Sequence, residues 1–154
     1  MLLSEIASVI SGNVIHLHED LDVKSLVYDS RKATNAPNQL FIALQGEHHD
    51  GHDFIPTLVE KGLKSFLVSR DIDLPAHSLN IIQVPDVLTA LQQLVAYHRD
   101  NFDIPIVGIT GSNGKTIVKE WLSGILSNQW QVVKSPKSFN SQLGVPLSVW
   151  EMNK

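Results

Sequence analysis

Residues Gly108–Thr116, GITGSNGKT, constrain this chain more than any other stretch. They continue an apolar, β-branched run that starts at Ile104. They lead into a segment carrying Ile117, Val118, Trp121, Leu122, Ile125 and Leu126 at helical spacing. A strand (Ile104–Thr110) must therefore deliver the chain to a tight glycine loop, and a helix (Lys115–Asn128) must leave it. Glycines let the backbone curl until successive N–H groups converge, and the helix N-terminus adds its positive dipole end, which together suit phosphate. In such a loop Gly111, Ser112, Asn113 and Gly114 line the cradle, Lys115 reaches the β- and γ-phosphates of a nucleoside triphosphate, and Thr116 offers its hydroxyl to Mg²⁺. The common form places a glycine at position 109, whereas here Ile109 stands there and the glycines fall at 108, 111 and 114. A plain glycine turn with a lysine at the helix start is the alternative. The ordered succession of strand, loop, Gly-Lys-Thr and helix argues against it.

The loop is not followed by everything such a site needs. A phosphate-loop enzyme completes its Mg²⁺ site with an acid from a later strand. After Thr116 the only acids are Glu120, one turn into the helix, and Glu151.

Upstream, short apolar stretches alternate with helical patterns. Leu2, Leu3, Ile6, Val9 and Ile10 predict a helix over 2–11, with Gly12 as its C-terminal cap. Strands are expected at Asn13–His18, Ser25–Ser30, Gln39–Leu44, Ser65–Ser69 and Asn80–Val84, with a further strand at Gln131–Lys134 after the loop helix. A helix with Pro56 in its first turn should end at Gly62, and Asp86 should cap a longer one running to about Asp100. The chain is thus α/β throughout. A small mixed-sheet domain is expected over residues 1–101 and the first βαβ part of a phosphate-loop domain over 102–154, the boundary falling in Asn101–Pro105.

Composition sets the outer limits. In 154 residues, 43% apolar and 18% charged, there is enough chain to bury a real core, roughly two-thirds of its unfolded surface. The net charge of −4 argues against a general nucleic-acid binder, although residues 102–154 alone sum to +2. The absence of cysteine removes disulfides, thiolate metal sites and cysteine catalysis. No apolar run approaches the roughly 18 residues of a membrane span, and the N-terminus lacks the basic start of a secretory signal. No membrane insertion, a cytoplasmic location and a monomer are expected.

Three stretches together resemble the Mur ligases, the ATP-dependent amide-forming enzymes of peptidoglycan synthesis. The first is the loop TGSNGKT, Thr110–Thr116, whose off-pattern glycine is typical of that family. The second is Val27–Ile55, with Asp29-Ser30-Arg31, Leu40–Leu44, Gly46, Asp50-Gly51 and Phe54-Ile55 as anchors, which is similar to the uridine-nucleotide domain of the later-acting members. The third is Ser138–Trp150, SFNSQLGVPLSVW, which resembles the member that adds D-alanyl-D-alanine. The ligase adding the third peptide residue shares the Asp-Ser-Arg element and is the nearest alternative. The resemblance runs through the whole chain but covers only the first domain and the opening of the second. It implies an N-terminal part of a longer enzyme, inactive by itself, and leaves open a fusion to alanine racemase in the full-length protein.

The resemblance also implies a chemistry and its partners. ATP phosphorylates the terminal carboxylate of UDP-MurNAc-tripeptide, and the amine of D-alanyl-D-alanine attacks the acyl phosphate. Lys115 and Thr116 would serve the first step. Tyr28, Ser30, His48, His49 and Asp50 would meet the uridine end, and Asn140 and Ser141 the sugar or peptide, with a plain loop turn as their alternative. Arg31 has two uses of equal weight, a substrate diphosphate or an internal ion pair with Asp29.

Two other readings come from the residues themselves. His48, His49, Asp50, His52 and Asp53 crowd five metal-capable side chains into Gly46–Asp53, as a zinc or nickel module would. Adjacent residues rarely aim at one centre, which counts against it. A non-catalytic nucleotide-binding module is the other.

Overall fold

A computed structural model describes residues 1–46, 49–73, 78–136 and 141–152. The chain forms two compact units, Met1–Leu94 and Val95–Lys154, and each is considered by itself. The division falls within a helix, α3 (Val87–Asp100), somewhat before the linker expected at Asn101–Pro105.

The first unit is built on a five-stranded sheet in the order β1-β5-β4-β3-β2. Its strands are β1 (Asn13–Leu17), β2 (Ser25–Val27), β3 (Gln39–Ile42), β4 (Ser65–Val68) and β5 (Asn80–Gln83). Strands β2 to β5 run parallel, and β1 closes one edge antiparallel to β5, with an irregular register between Val14 and His16. Each strand expected in this unit is present and one to three residues shorter than expected, β2 the most shortened. A parallel strand covered on both faces has no polar side to alternate with, so it reads as a continuous apolar stretch. Ser65–Val68 is accordingly buried at every position.

Register sets the core. Val27 pairs with Phe41, Phe41 with Phe66, and Phe66 with Ile81. The two phenyl rings meet edge-on, with centroids 6.3 Å apart. Together with Ala43, Val68 and Leu79 these residues pack against Ile55 and Leu58 of α2 (Ile55–Glu60) and against Leu63. The alternating residues Leu40, Ile42, Leu67 and Ile82 are buried too, as are Leu3 and Ile6 of α1 (Leu3–Val9) and Leu91 and Leu94 of α3. Asn80 is the polar residue tying strand starts together. Its Oδ1 accepts the His18 and Glu19 N–H groups, and its Nδ2 donates to Ser65 Oγ at 3.1 Å.

Two helix ends show what their glycines do. At α2 the Gly62 N–H bonds to Val59 O and the Leu63 N–H to Leu58 O, with Gly62 at φ +91°. That is a doubly bonded left-handed cap, at the glycine where the sequence predicts the helix to end. At α1 the expectation of Gly12 as the left-handed residue needs correction. Ser11 takes that role at φ 50°, and Gly12 follows it, donating to Ala7 O. Gly12 answers a different need, because a Cβ there would sit 2.6 Å from Ile82 Cγ2.

In the second unit α4 spans Lys115–Leu126 and α5 spans Gly144–Trp150. α5 was not expected. Pro146, Leu147 and Trp150 are buried, and the His98 ring lies 4.6 Å from that of Trp150 while its Nε2 donates to Met152 O at 3.0 Å. The strands expected at Ile104–Thr110 and Gln131–Lys134 are not formed: among the described residues neither segment pairs with another strand. Sheet hydrogen bonds lie between neighbouring strands, so apolar content alone does not make a strand where no neighbour completes the ladder. The apolar side chains Ile106, Val107, Trp121 and Ile125 are correspondingly exposed.

Candidate functional site

The glycine loop has the backbone its sequence demands. Gly111 sits at φ +140° and Gly114 at φ +78°, conformations that L side chains rarely adopt. Gly114 is also the residue from which α4 begins, and no side chain caps that helix. The first-turn N–H groups of α4 thus present the positive end of its dipole to the loop. A Cβ built on Gly108 or Gly114 meets nothing within 4 Å, so the space beside the loop is open. Left-handed glycines, an uncapped helix start and open space fit a polyphosphate, with the exposed Thr116 able to turn its hydroxyl toward a phosphate-bound Mg²⁺. Lys115 curls back over the loop, its Nζ donating to Gly111 O and to Ser112 O. Ser112 and Asn113 are exposed on the loop.

Glu120 is not free to complete a metal site. Lys134 bonds to one of its oxygens, and Lys119 lies 3.2 Å from the other. These two contacts, Lys134 first, hold its carboxyl below the ordinary carboxylate range. Lys119 also donates to Ser135 O at 2.8 Å.

In the first unit the loops after β2, β3 and β4 leave the same edge of the sheet, the carboxyl ends of parallel strands, where open α/β sheets take their ligands. Tyr28 and Ser30, half-buried, follow β2 directly. Arg31 grips Asp29 with two parallel hydrogen bonds, Nε to Oδ1 at 2.9 Å and Nη2 to Oδ2 at 2.8 Å, while remaining 87% exposed. The internal ion pair is therefore made, and the outer side of the guanidinium still faces solvent. The Arg31 bonds bring the Asp29 carboxyl down to about 2.

The excursion after β3 is closed by Gly46 N–H to His49 O at 2.9 Å and Gly51 N–H to Leu44 O at 2.8 Å. Gly51 is required there by space, since a Cβ would lie 2.8 Å from the Leu44 nitrogen. His49 is exposed at the turn. Asp50 and His52 are committed to the loop itself. Asp50 Oδ1 accepts the His52 N–H at 2.9 Å and its ring Nδ1 at 2.5 Å, and Oδ2 lies 3.3 Å from Arg70. Burial alone would raise the Asp50 carboxyl, but the His52 hydrogen bonds and the Arg70 charge outweigh it and lower it. Arg70 pairs with Asp53 as well, at 2.7 Å. Among the described residues no three metal-capable side chains converge, and both nitrogens of His52 already have partners, which works against the metal-module reading.

Ser141 serves the start of α5, its Oγ accepting the Gly144 N–H at 2.9 Å. Sequence reasoning missed Ser69 and Arg70 at the end of β4. Their position after a buried parallel strand was the available signal. His48 and Asn140 lie outside the described residues.

These features define an α/β protein with a mixed, mostly parallel sheet in one unit and a glycine loop at a helix start in the other. The description "Mur ligase family, catalytic domain" matches residues 22–99, and "Mur ligase middle domain" matches residues 109–154. The chain belongs to the Mur ligase family. It is 35% identical over 151 residues to the UDP-N-acetylmuramoyl-tripeptide–D-alanyl-D-alanine ligase of Bacillus subtilis, covering 97% of this chain and 33% of that protein. A crystal structure of MurF from Acinetobacter baumannii superposes with a TM-score of 0.88 at 31% identity, over 97% of this chain and 32% of that one. MurF from Thermotoga maritima in complex with ADP superposes at 0.74 and 32% identity, over 88% and 31%. The chain thus spans about a third of the length of the relatives it matches.

Proposed function

We propose that this chain supplies the uridine-nucleotide domain (residues 1–101) and the opening of the ATP domain (residues 102–154) of a ligase joining D-alanyl-D-alanine to UDP-MurNAc-tripeptide. The observation that carries the reading is the likeness along 97% of the chain to a relative of that name. The glycine loop supports it independently, since its left-handed glycines and uncapped helix suit a nucleotide triphosphate.

ATP bound with Mg²⁺ would supply the phosphoryl group that makes the substrate carboxylate reactive toward an amine. The N–H groups of Gly111, Ser112, Asn113 and Gly114 would hold its phosphates, and Thr116 would meet the metal. Lys115, whose Nζ donates to the Gly111 and Ser112 carbonyls, would instead meet phosphate oxygens and offset the charge of the transferring group. In the first unit Tyr28, Ser30, His49 and the outer face of Arg31 would meet the uridine diphosphate, Asp50 holding the loop that carries His49; His48 is assigned there by its place in the sequence alone. Asn140 and Ser141 belong to the sugar and peptide end, with Ser141 acting from the start of α5. No helix among the described residues is long and apolar enough to cross a membrane; the assignment as a monomeric cytoplasmic enzyme rests on the likeness to the D-alanyl-D-alanine ligases.

Calorimetric titration with UDP-MurNAc-tripeptide, and separately with Mg-ATP, tests this. Saturable binding of the uridine compound is expected. If ATP binds and the uridine compound does not, the assignment of the first unit fails and a general phosphate-loop protein takes its place.

A further inference from the structure

His52 is buried, its side chain 3% exposed, yet carries no role in the proposed chemistry. It lies between two segments that meet at the ligand edge of the sheet. Its Nε2 receives the Ser69 backbone N–H at 2.9 Å, so Nε2 holds a lone pair and not a proton. The proton therefore sits on Nδ1, which donates to Asp50 Oδ1 at 2.5 Å. Asp50 is the residue on which the excursion after β3 returns, bridged to Gln45. Ser69 is the first residue beyond β4. One neutral imidazole thus fastens the returning limb of that excursion to the end of the neighbouring strand. Arg70 adds a second tie to the same limb through Asp50 and Asp53. Ser69 Oγ, at 3.4 Å from Nε2, does not act as a nucleophile activated by this ring, because the Ser69 N–H already occupies the Nε2 lone pair.

We infer that His52 is a positioning residue for nucleotide binding: it sets where His49 and the limb beside it stand at the sheet edge without itself touching the ligand. The inference rests on the uridine-nucleotide reading of the first unit. Two amide substitutions separate its halves. His52→Gln places an oxygen near the Nε2 position and keeps an acceptor for Ser69. His52→Asn keeps a donor near Nδ1 for Asp50 and is too short to reach Ser69.

Titration of the 154-residue chain with UDP-MurNAc-tripeptide, together with imidazole nitrogen NMR of the unsubstituted protein, provides the test. Each variant breaks one of the two ties, so both should fold yet bind about tenfold or more weakly than the unsubstituted chain, the loss of one buried hydrogen bond. In the unsubstituted protein Nδ1 should be pyrrole-like and Nε2 pyridine-like, and saturating ligand should leave that pattern in place. Binding by either folded variant within about threefold of the unsubstituted chain, or an Nε2 that becomes protonated on binding, would overturn the inference while leaving the uridine reading intact. If the unsubstituted chain does not bind, both fall together. Should the Asn variant fail to fold, the Gln variant and the nitrogen pattern still decide.

Discussion

Arg31 and Asp29 show how one residue pair holds two possible uses. The forked guanidinium matches a diphosphate and a carboxylate equally well, and the carboxylate two residues away is always at hand. With the pair formed, Asp29 titrates at about 2 against an ordinary 3.8. Because the folded value is the lower one, the pair's contribution is fully present above pH 4 and is lost as pH falls through 2. NMR titration should therefore find the Asp29 carboxyl protonating near pH 2, and Arg31→Ala should return it toward 3.8. The pairing was one of two readings legible in the sequence. Nothing within the tripeptide Asp29-Ser30-Arg31 decides which is populated, because the choice depends on backbone direction after β2.

At the scale of the element, helix ends were the most legible features. Pro56 and Gly62 bracket α2, and Asp86 accepts the Thr89 N–H at 2.7 Å at the start of α3. Both signals act over three or four residues, within reach of sequence reading. Gly62 has room for a side chain, its nearest neighbour being Asn35 Cβ at 3.4 Å, so its requirement is conformational and not steric. Gly62→Ala should lower stability by about 1–2 kcal/mol in urea unfolding with unchanged slope, and Gly62→Asn should recover part of it. Gly12 misled the reading of α1 because a glycine at a helix end has two explanations. The one that applies, contact with Ile82, involves a strand 70 residues away.

For the molecule as a whole, the glycine loop at Gly108–Thr116 has, among the described residues, no acid placed to complete a metal site beside it. Glu120 is tied to Lys119 and Lys134, and Glu151, the other acid after Thr116, follows α5. Loop geometry alone positions phosphate but does not complete the charge neutralisation that phosphoryl transfer needs. The purified 154-residue chain, given UDP-MurNAc-tripeptide, D-alanyl-D-alanine and Mg-ATP, should release no dipeptide-dependent phosphate. A measurable rate would show that the chain holds a complete catalytic site.

Five strands, four helices and the glycine loop could be placed from residue order, because apolar periodicity, caps and glycine spacing are local and each acts within a turn or two of chain. The partners could not. The union of Asp50, His52 and Ser69 joins residues up to 19 positions apart across two strand ends. The unpaired Ile104–Thr110 looks as strand-like as Ser65–Val68 when read alone. A strand exists only when a neighbour accepts its hydrogen bonds, and a buried histidine takes its role from the groups that surround it. Both depend on proximity in space, which folding creates.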